Sequence, residues 1–174
     1  YTRLNSQISA ELQAATIDKE TVILVGIHTG GYWVAEKLHA DLGFIQPLCA
    51  VSTTLQRDDF PLVGLHKQKR ASRLPLTIQG SNIILVDDVL HTGRTVRAAL
   101  NELFEYGRPA SVKLAILADR CERELPIKPD FCGGKLVLMT HQKINLRQLS
   151  IDENNQYGLE FYIDGTQSRD TDNL

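Results

Sequence analysis

The sequence has few of the features that mark secreted, membrane or zinc-binding proteins. It contains 3 cysteines in 174 residues, and this odd number at wide spacing argues against a disulfide framework and favours the reducing cytoplasm. No apolar run approaches the roughly 18 residues that span a bilayer. No basic-then-apolar leader is present, so we expect neither a membrane protein nor a secreted one. The chain begins at Tyr1 rather than at methionine, so we expect a segment before it.

Neither sign of charge dominates the composition. The chain carries 19 Lys+Arg against 21 Asp+Glu, a net charge of −2, which disfavours a globally basic nucleic-acid binder but leaves a local basic face open. The 5 histidines supply no ligand pairs at short spacing beside the cysteines, so structural zinc is not expected. For a chain of this length we predict one domain over residues 1–165 and an acidic, frayed tail at 166–174.

Short β-branched runs alternate with amphipathic helical patterns. The run Ile-Ile-Leu-Val predicts a buried strand at 82–86, and apolar residues at helical spacing predict a helix at 95–106. This alternation is typical of parallel β-α-β units, so we predict an α/β fold with a central, mainly parallel sheet of about four or five strands flanked by helices. The other predicted elements are strands at 21–26, 48–54, 112–118, 136–140 and 158–163, a helix at 3–15, and a helix that stops at Gly43.

The segment 60–80 differs from its surroundings because it is basic and holds no acidic residue. A loop of this length inside a compact domain is usually functional or disordered. We therefore predict a long flexible loop or β-arm, with a merely solvated charged loop as the alternative. Its basic residues include Lys67, Lys69, Arg70 and Arg73.

The strongest functional signal is ILVDDVLHTGRT at 84–95, where two acids and a glycine turn join a strand to a helix. Such a turn offers backbone N–H groups, hydroxyls and the positive end of a helix dipole, which together suit a phosphate. Asp87 and Asp88 cannot bind phosphate, but they can accept hydrogen bonds from sugar hydroxyls or face a cationic transition state. The segment therefore predicts a ribose 5-phosphate site. The turn residues are Thr92, Gly93, Arg94 and Thr95.

Other nucleotide motifs are absent, since neither GxxxxGK[ST] nor GxGxxG occurs in the chain. A lone TGxT turn is most often only a strand–helix connection, and adjacent acids at a strand end are most often solvated or capping groups. These alternatives are less favoured here because the strand, the two acids and the glycine turn all occur at one strand–helix junction.

Several segments carry a more specific likeness. They are VGIHTGG at 25–31, TLQRDD at 54–59, DDVLHTGRTVR at 87–97, GRP at 107–109 and DRCERELP at 119–126. The acidic pair with its TGRT turn resembles the signature of type I phosphoribosyltransferases. Together the segments resemble the bifunctional PyrR family, whose members are pyrimidine-operon regulators with uracil phosphoribosyltransferase activity. The likeness runs from about residue 22 to 133 and is weak after 136.

The resemblance implies an enzyme that transfers the ribosyl 5-phosphate of phosphoribosyl pyrophosphate (PRPP) to uracil, giving UMP and pyrophosphate. It also implies a small hood over the base and a homodimer or higher homo-oligomer. Mg²⁺ would bridge pyrophosphate and ribose oxygens with few protein ligands, of which Asp87 and Asp88 are candidates. In this scheme the catalytic residues are Asp87, Asp88 and Arg57, and the turn at 92–95 holds the 5-phosphate. The pyrophosphate loop comprises His28, Thr29, Gly30 and Gly31, and the basic segment closes over the substrate.

Two positions bear on the choice of base. Purine members of the superfamily typically carry aspartate where this chain has His91, so the resemblance implies a pyrimidine. Phe131 falls where the superfamily packs the base, and its ring would stack on uracil. The alternatives are a surface histidine in a turn and a phenylalanine that only packs in the core.

The chain departs from the family pattern at two places. Gly30 stands where the pattern has arginine, which removes a guanidinium able to clamp pyrophosphate. Glu122 stands where RNA-binding members tend to have histidine, and an acid is unfavourable on a surface meant for phosphates.

Three hypotheses follow, and a uracil phosphoribosyltransferase is the first. The second is an attenuator that binds the pyr mRNA leader and senses UMP or UTP. The third is a PRPP-binding protein without turnover, which the loss of arginine at position 30 makes plausible. Residues that would supply positive charge for RNA are Arg108, Lys113, Arg120, Arg123 and Lys128, with ordinary solvated surface as their alternative.

Overall fold

Strands and helices alternate along the part of the chain that forms the sheet. The computed structural model describes residues 1–14, 17–53, 72–139, 142–150 and 157–164. They fall into two compact units, Tyr1–Leu136 and Val137–Leu174. The elements of the first unit are α1 (Thr2–Gln13), β1 (Ile23–Ile27), α2 (Gly30–Leu42), β2 (Cys49–Val51), β3 (Asn82–Leu90), α3 (Arg94–Glu105), β4 (Ser111–Asp119) and β5 (Phe131–Lys135).

A five-stranded sheet in the order β2-β1-β3-β4-β5 forms the centre of the first unit. All four neighbouring pairs are parallel, which confirms the predicted α/β class. Every residue of β1 is buried, as expected for a parallel strand covered on both faces. Helix α2 ends at Gly43, whose φ of 66° is left-handed, and glycine adopts that conformation without the steric cost of a Cβ.

Strand β3 extends past its neighbour β1, and the acidic pair lies in the part that extends. The last β3 residue paired with β1 is Val86. From Asp87 to Leu90 the strand continues to pair with β4 alone. The backbone of the acidic pair is therefore held in the sheet on one side, while its other side lies beside the segment that follows β1.

The second unit contains an antiparallel pair, β6 (Lys143–Ser150) and β7 (Tyr157–Asp164). The strand predicted at 158–163 lies within β7, but the strand predicted at 136–140 is wrong as far as residue 139, because 136–139 are irregular and Val137 is 94 % exposed. The strand that joins the sheet instead is β5, which lies just before that segment. In the part of the chain described, no helix has the length and apolar character needed to cross a membrane.

Two predicted segments fall wholly or partly outside the described residues. The tail at 166–174 lies outside them, as does the basic segment as far as residue 71. Of the basic loop, Arg73 is described. It forms an antiparallel bridge with Ala50 of β2 through two backbone hydrogen bonds of 2.8 and 2.9 Å.

Candidate active site

The acidic pair lies where β3 extends beyond β1. Asp87 is only 2 % exposed, and its Oδ1 accepts a 3.0 Å hydrogen bond from the backbone N–H of Asp88. Asp88 is half-buried. Burying a carboxylate is costly unless it is paired, so this placement indicates a built polar site rather than two solvated acids.

The loop after β1 packs directly on the acidic pair. A Cβ added at Gly30 would overlap the Asp88 carboxylate and lie 2.5 Å from its Cγ. A Cβ at Gly31 would lie 2.5 Å from the Val86 carbonyl oxygen and 2.8 Å from Asp87 Cα. Close approach to backbone therefore requires glycine at position 31, whereas a Cβ at position 30 would require the Asp88 carboxylate to move. The space nearest Cα at position 30, where the family pattern has arginine, is taken by the Asp88 side chain.

The turn after β3 leads into the N-terminus of α3. Gly93, at the N-cap position, has a left-handed φ of 95° and makes no side-chain cap, and the backbone N–H of Arg94 donates to Thr92 Oγ1 at 3.2 Å. No acidic residue occupies the first turn of α3. A helix N-terminus with no acidic residue in its first turn presents its remaining backbone N–H groups to an anion, so the geometry fits the predicted phosphate turn.

The segment after β4 holds this turn in place through hydrogen bonds. The backbone N–H groups of Glu124 and Leu125 donate to the Thr92 carbonyl at 3.0 and 3.2 Å. The Arg123 guanidinium donates to the His91 carbonyl at 2.8 Å through Nη1 and to Asp119 Oδ1 at 2.6 Å through Nη2. The turn is thus held by a second segment. Arg123 was predicted only as a candidate surface cation.

The structure therefore brings together the loop after β1, the acidic pair and the phosphate turn. In that loop the His28 N–H donates to the Val51 carbonyl at 2.9 Å, and the His28–Thr29 peptide bond is cis. Arg57, Lys67, Lys69 and Arg70 lie outside the described residues.

The comparisons with known proteins agree with this geometry. Residues 2–150 match the phosphoribosyl transferase domain family. The chain is 51 % identical over 144 residues to the bifunctional protein PyrR of Pseudomonas aeruginosa strain LESB58, covering 83 % of this chain and 84 % of that protein. It is 52 % identical over 125 residues to the bifunctional protein PyrR of Nitrosococcus oceani, covering 71 % of each chain. The chain belongs to the PyrR family.

Solved structures support the fold of this PyrR family member. A purine phosphoribosyltransferase from Pyrococcus horikoshii superposes with a TM-score of 0.57 at 22 % identity, covering 78 % of this chain and 82 % of that one. A hypoxanthine phosphoribosyltransferase from Staphylococcus aureus gives 0.58 at 17 % identity, covering 76 % and 71 %. These identities establish the shared type I phosphoribosyltransferase fold alone.

His91 has a partner that the sequence analysis did not predict. Its Nε2 lies 2.6 Å from Oε2 of Glu122, and the same oxygen accepts a 3.2 Å hydrogen bond from Nη2 of Arg120. The predicted order of strands gives an indication of this contact. Consecutive strands of a β-α-β unit are usually neighbours, and Leu90 pairs with Asp119 at the ends of β3 and β4, so residues just beyond those ends fall close together.

Phe131 is not brought to the same edge as His91. It is 4 % exposed and pairs with Ala115, near the middle of β4. The Lys113 ammonium lies 5.7 Å from the centre of its ring. Packing of the ring in the interior accounts for its burial, and its contact with the base stays a prediction.

Three of the five candidate RNA-binding cations are engaged within the chain. Arg120 pairs with Glu122, and Arg123 pairs with Asp119. Lys113 forms an ion pair of 2.9 Å with Glu11. The other two, Arg108 and Lys128, are exposed.

Proposed function

We propose that this PyrR family member is a uracil phosphoribosyltransferase that forms UMP and pyrophosphate from uracil and PRPP. The observation that carries the proposal is the convergence of three parts at one end of the sheet. These parts are the glycine loop 30–31, the acidic pair 87–88 and the N-terminus of α3. Such a convergence suits a ligand with a phosphate, a sugar diol and a second anionic group.

Each part has a role in the proposed reaction. The turn at 92–95 holds the 5-phosphate through backbone N–H groups, and Asp87 and Asp88 accept hydrogen bonds from the ribose hydroxyls. The N1 atom of uracil attacks C1 of the ribose while the C1–O bond to pyrophosphate breaks. Positive charge then develops on the sugar, and the fixed negative charge of Asp87 and Asp88 stabilises it.

The donor set also fits Mg²⁺. Within the described residues no cluster of three or more His, Cys, Asp and Glu side chains forms a metal site. Mg²⁺ typically keeps several waters and takes one or two carboxylates together with substrate phosphates. Asp87 and Asp88 would hold the ion, which supplies positive charge to the leaving pyrophosphate.

The test is pyrophosphate release from PRPP and Mg²⁺, compared for uracil, orotate, hypoxanthine and no added base. We expect release with uracil alone. Binding of PRPP without release in any mixture would contradict the proposal and favour a PRPP-binding protein without turnover. Calorimetric titration with Mg²⁺-PRPP measures that binding separately.

The relatives are named bifunctional, which supports a second candidate function, attenuation through an mRNA leader in response to UMP or UTP. Retention of a labelled pyrimidine-operon leader RNA on filters, with and without UMP, tests it. Binding should weaken steeply as salt rises, because phosphate contacts release counterions. Homo-oligomer formation is part of the same proposal and is measured by sedimentation.

A further inference from the structure

The contact between His91 and Glu122 joins two residues that distinguish this chain from the patterns described above. His91 replaces the aspartate of purine enzymes, and Glu122 replaces the histidine of RNA-binding members. Their side chains are 40 % and 51 % exposed, and their atoms Nε2 and Oε2 lie 2.6 Å apart. Both are reachable from solvent, at the end of the sheet that carries the acidic pair.

Glu122 is held from a second direction. The Arg120 side chain is 8 % exposed, and its Nη2 lies 3.2 Å from the same Oε2. A hydrogen bond between two charged groups is stronger than one between neutral groups. Arg120 therefore holds the Glu122 carboxylate in place independently of its contact with His91.

This arrangement fixes the tautomer of His91. An ionised carboxylate only accepts hydrogen bonds, so Nε2 must carry the hydrogen in this contact. In the neutral imidazole Nδ1 is then the basic nitrogen. Within the described ranges no hydrogen bond or ion pair occupies Nδ1 of His91.

The proposed reaction needs a proton acceptor. Uracil carries a hydrogen on N1, and this proton must leave as the N1–C1 bond forms. His91 lies in the chain between Asp88, assigned to the ribose, and Thr92, the first residue of the phosphate turn. The proposed ribose is held by Asp88 on one side and by the phosphate turn on the other. Of the histidines in the chain, His91 is the one that lies between these two sites in the sequence, so it is the candidate to contact a nucleobase at C1.

The geometry points to His91 as the group that accepts the N1 proton of uracil and to Glu122 as its positioning residue. The N1–C1 bond forms, the C1–O bond to pyrophosphate breaks, the N1 proton moves to Nδ1 of His91, and solvent later removes it. Glu122 holds Nε2–H and stabilises the imidazolium, as a carboxylate does for histidine in other general-base pairs. This inference rests on the proposed function.

The charged groups that contact His91 come from two segments. Glu122 bonds to its Nε2, and Arg120 bonds to the same Glu122 oxygen. Arg123 donates to the His91 carbonyl and is paired with Asp119 at 2.6 Å. The neutral, active form of His91 is lost as pH falls, so kcat/KM for uracil should decrease on the acidic side.

The experiment compares pH profiles of kcat/KM for uracil, at saturating Mg²⁺-PRPP, in the unsubstituted protein, His91→Gln and Glu122→Gln. We expect His91→Gln to lower kcat about 10²-fold and to remove the acidic limb. Glu122→Gln keeps a hydrogen-bond acceptor but removes the charge. It should lower kcat about tenfold and move the limb to lower pH, because the imidazolium loses its counter-charge.

Two controls separate proton transfer from a structural role. Glu160→Gln removes the charge of another exposed, ion-paired glutamate and should leave rate and pH profile unchanged. With 5-fluorouracil, whose N–H groups are more acidic than those of uracil, the deficit of His91→Gln should shrink. Thermal unfolding and calorimetric PRPP binding should stay unchanged in both site variants.

The possible failures are distinguishable. An acidic limb that persists in His91→Gln, or an equal deficit with uracil and 5-fluorouracil, overturns the role of His91. An unshifted limb in Glu122→Gln overturns the role of Glu122. Absence of uracil-dependent pyrophosphate release in the unsubstituted protein overturns the proposed function and this inference with it.

Discussion

Two ion pairs in different units of the molecule have nearly the same geometry. Arg94 in the phosphate turn donates from Nε to Glu124 Oε2 at 2.7 Å, and Arg147 in the β6–β7 hairpin donates from Nε to Glu160 Oε2 at the same distance. The arginine side chains are 54 % and 55 % exposed. By contact geometry alone the two pairs are equivalent.

Their surroundings differ. Arg147 and Glu160 are direct cross-strand partners, and the guanidinium lies 5.3 Å from the centre of the Tyr162 ring, so this pair stabilises its own hairpin. Arg94 begins α3, at the turn that follows the acidic pair. What distinguishes the candidate site is therefore the convergence of the acidic pair, the glycine loop and the N-terminus of α3, rather than any charged pair within it.

The largest effect expected from breaking this convergence is that of Asp88→Asn. The substitution keeps the shape of the side chain but removes the charge proposed to stabilise the ribosyl cation, so we expect turnover to fall about 10²–10³-fold. The free energy of unfolding should change by less than about 1 kcal/mol, because Asp88 is half-buried beside another acid. Steady-state kinetics and chemical denaturation measure the two effects.

Asp164→Asn in the hairpin is the matched control. Asp164 is exposed and accepts a 2.8 Å hydrogen bond from Asn145, and this variant should keep full turnover. Equal losses of activity and stability in Asp88→Asn would contradict the assignment of the acidic pair.

A smaller effect is expected when the glycine loop is changed. Gly30→Ala places a methyl group on the Asp88 carboxylate, which must then turn away. A displacement of about 1 Å at a reacting group can cost 10²-fold, so we expect turnover to fall by about 10- to 10²-fold. Gly134→Ala is the control, because a Cβ there meets no atom within 4 Å.

A second substitution at the same position, Gly30→Arg, tests the departure from the family pattern. If Asp88 owes its position to the space at Gly30, Gly30→Arg should impair turnover as much as Gly30→Ala does. If Gly30→Arg is instead more active than the unsubstituted protein, the missing guanidinium limits catalysis.

The sequence predicted the elements that carry the candidate site better than it predicted the edge of the sheet, because those elements depend on local signals. A β-branched run, a glycine turn and an amphipathic pattern placed α3 to within one residue of Arg94–Glu105. Strand β5 has no such signal, since Gly133 and Gly134 interrupt it. It forms through pairing with β4 and through a 2.8 Å hydrogen bond from the Cys132 N–H to the Gln7 side chain.

The contact of His91 with Glu122 is likewise not predictable from local sequence signals. It joins residues 31 positions apart, and only the adjacency of β3 and β4 brings them together. In the sequence both residues depart from the patterns of related proteins, but His91 is expected to contact the base and Glu122 to disfavour RNA binding. Their relation is a property of the fold.

The smallest expected effect comes from the two arginines themselves. Arg147→Ala should cost less than about 1 kcal/mol of stability, as exposed ion pairs do, and should leave turnover unchanged. Arg94→Ala should cost a similar amount of stability, but it should also raise KM for PRPP by less than about tenfold, since its guanidinium is engaged by Glu124 and the backbone amides of α3 remain. A larger increase would show that Arg94 leaves Glu124 to bind the 5-phosphate, and the two ion pairs would then differ in function although they match in geometry.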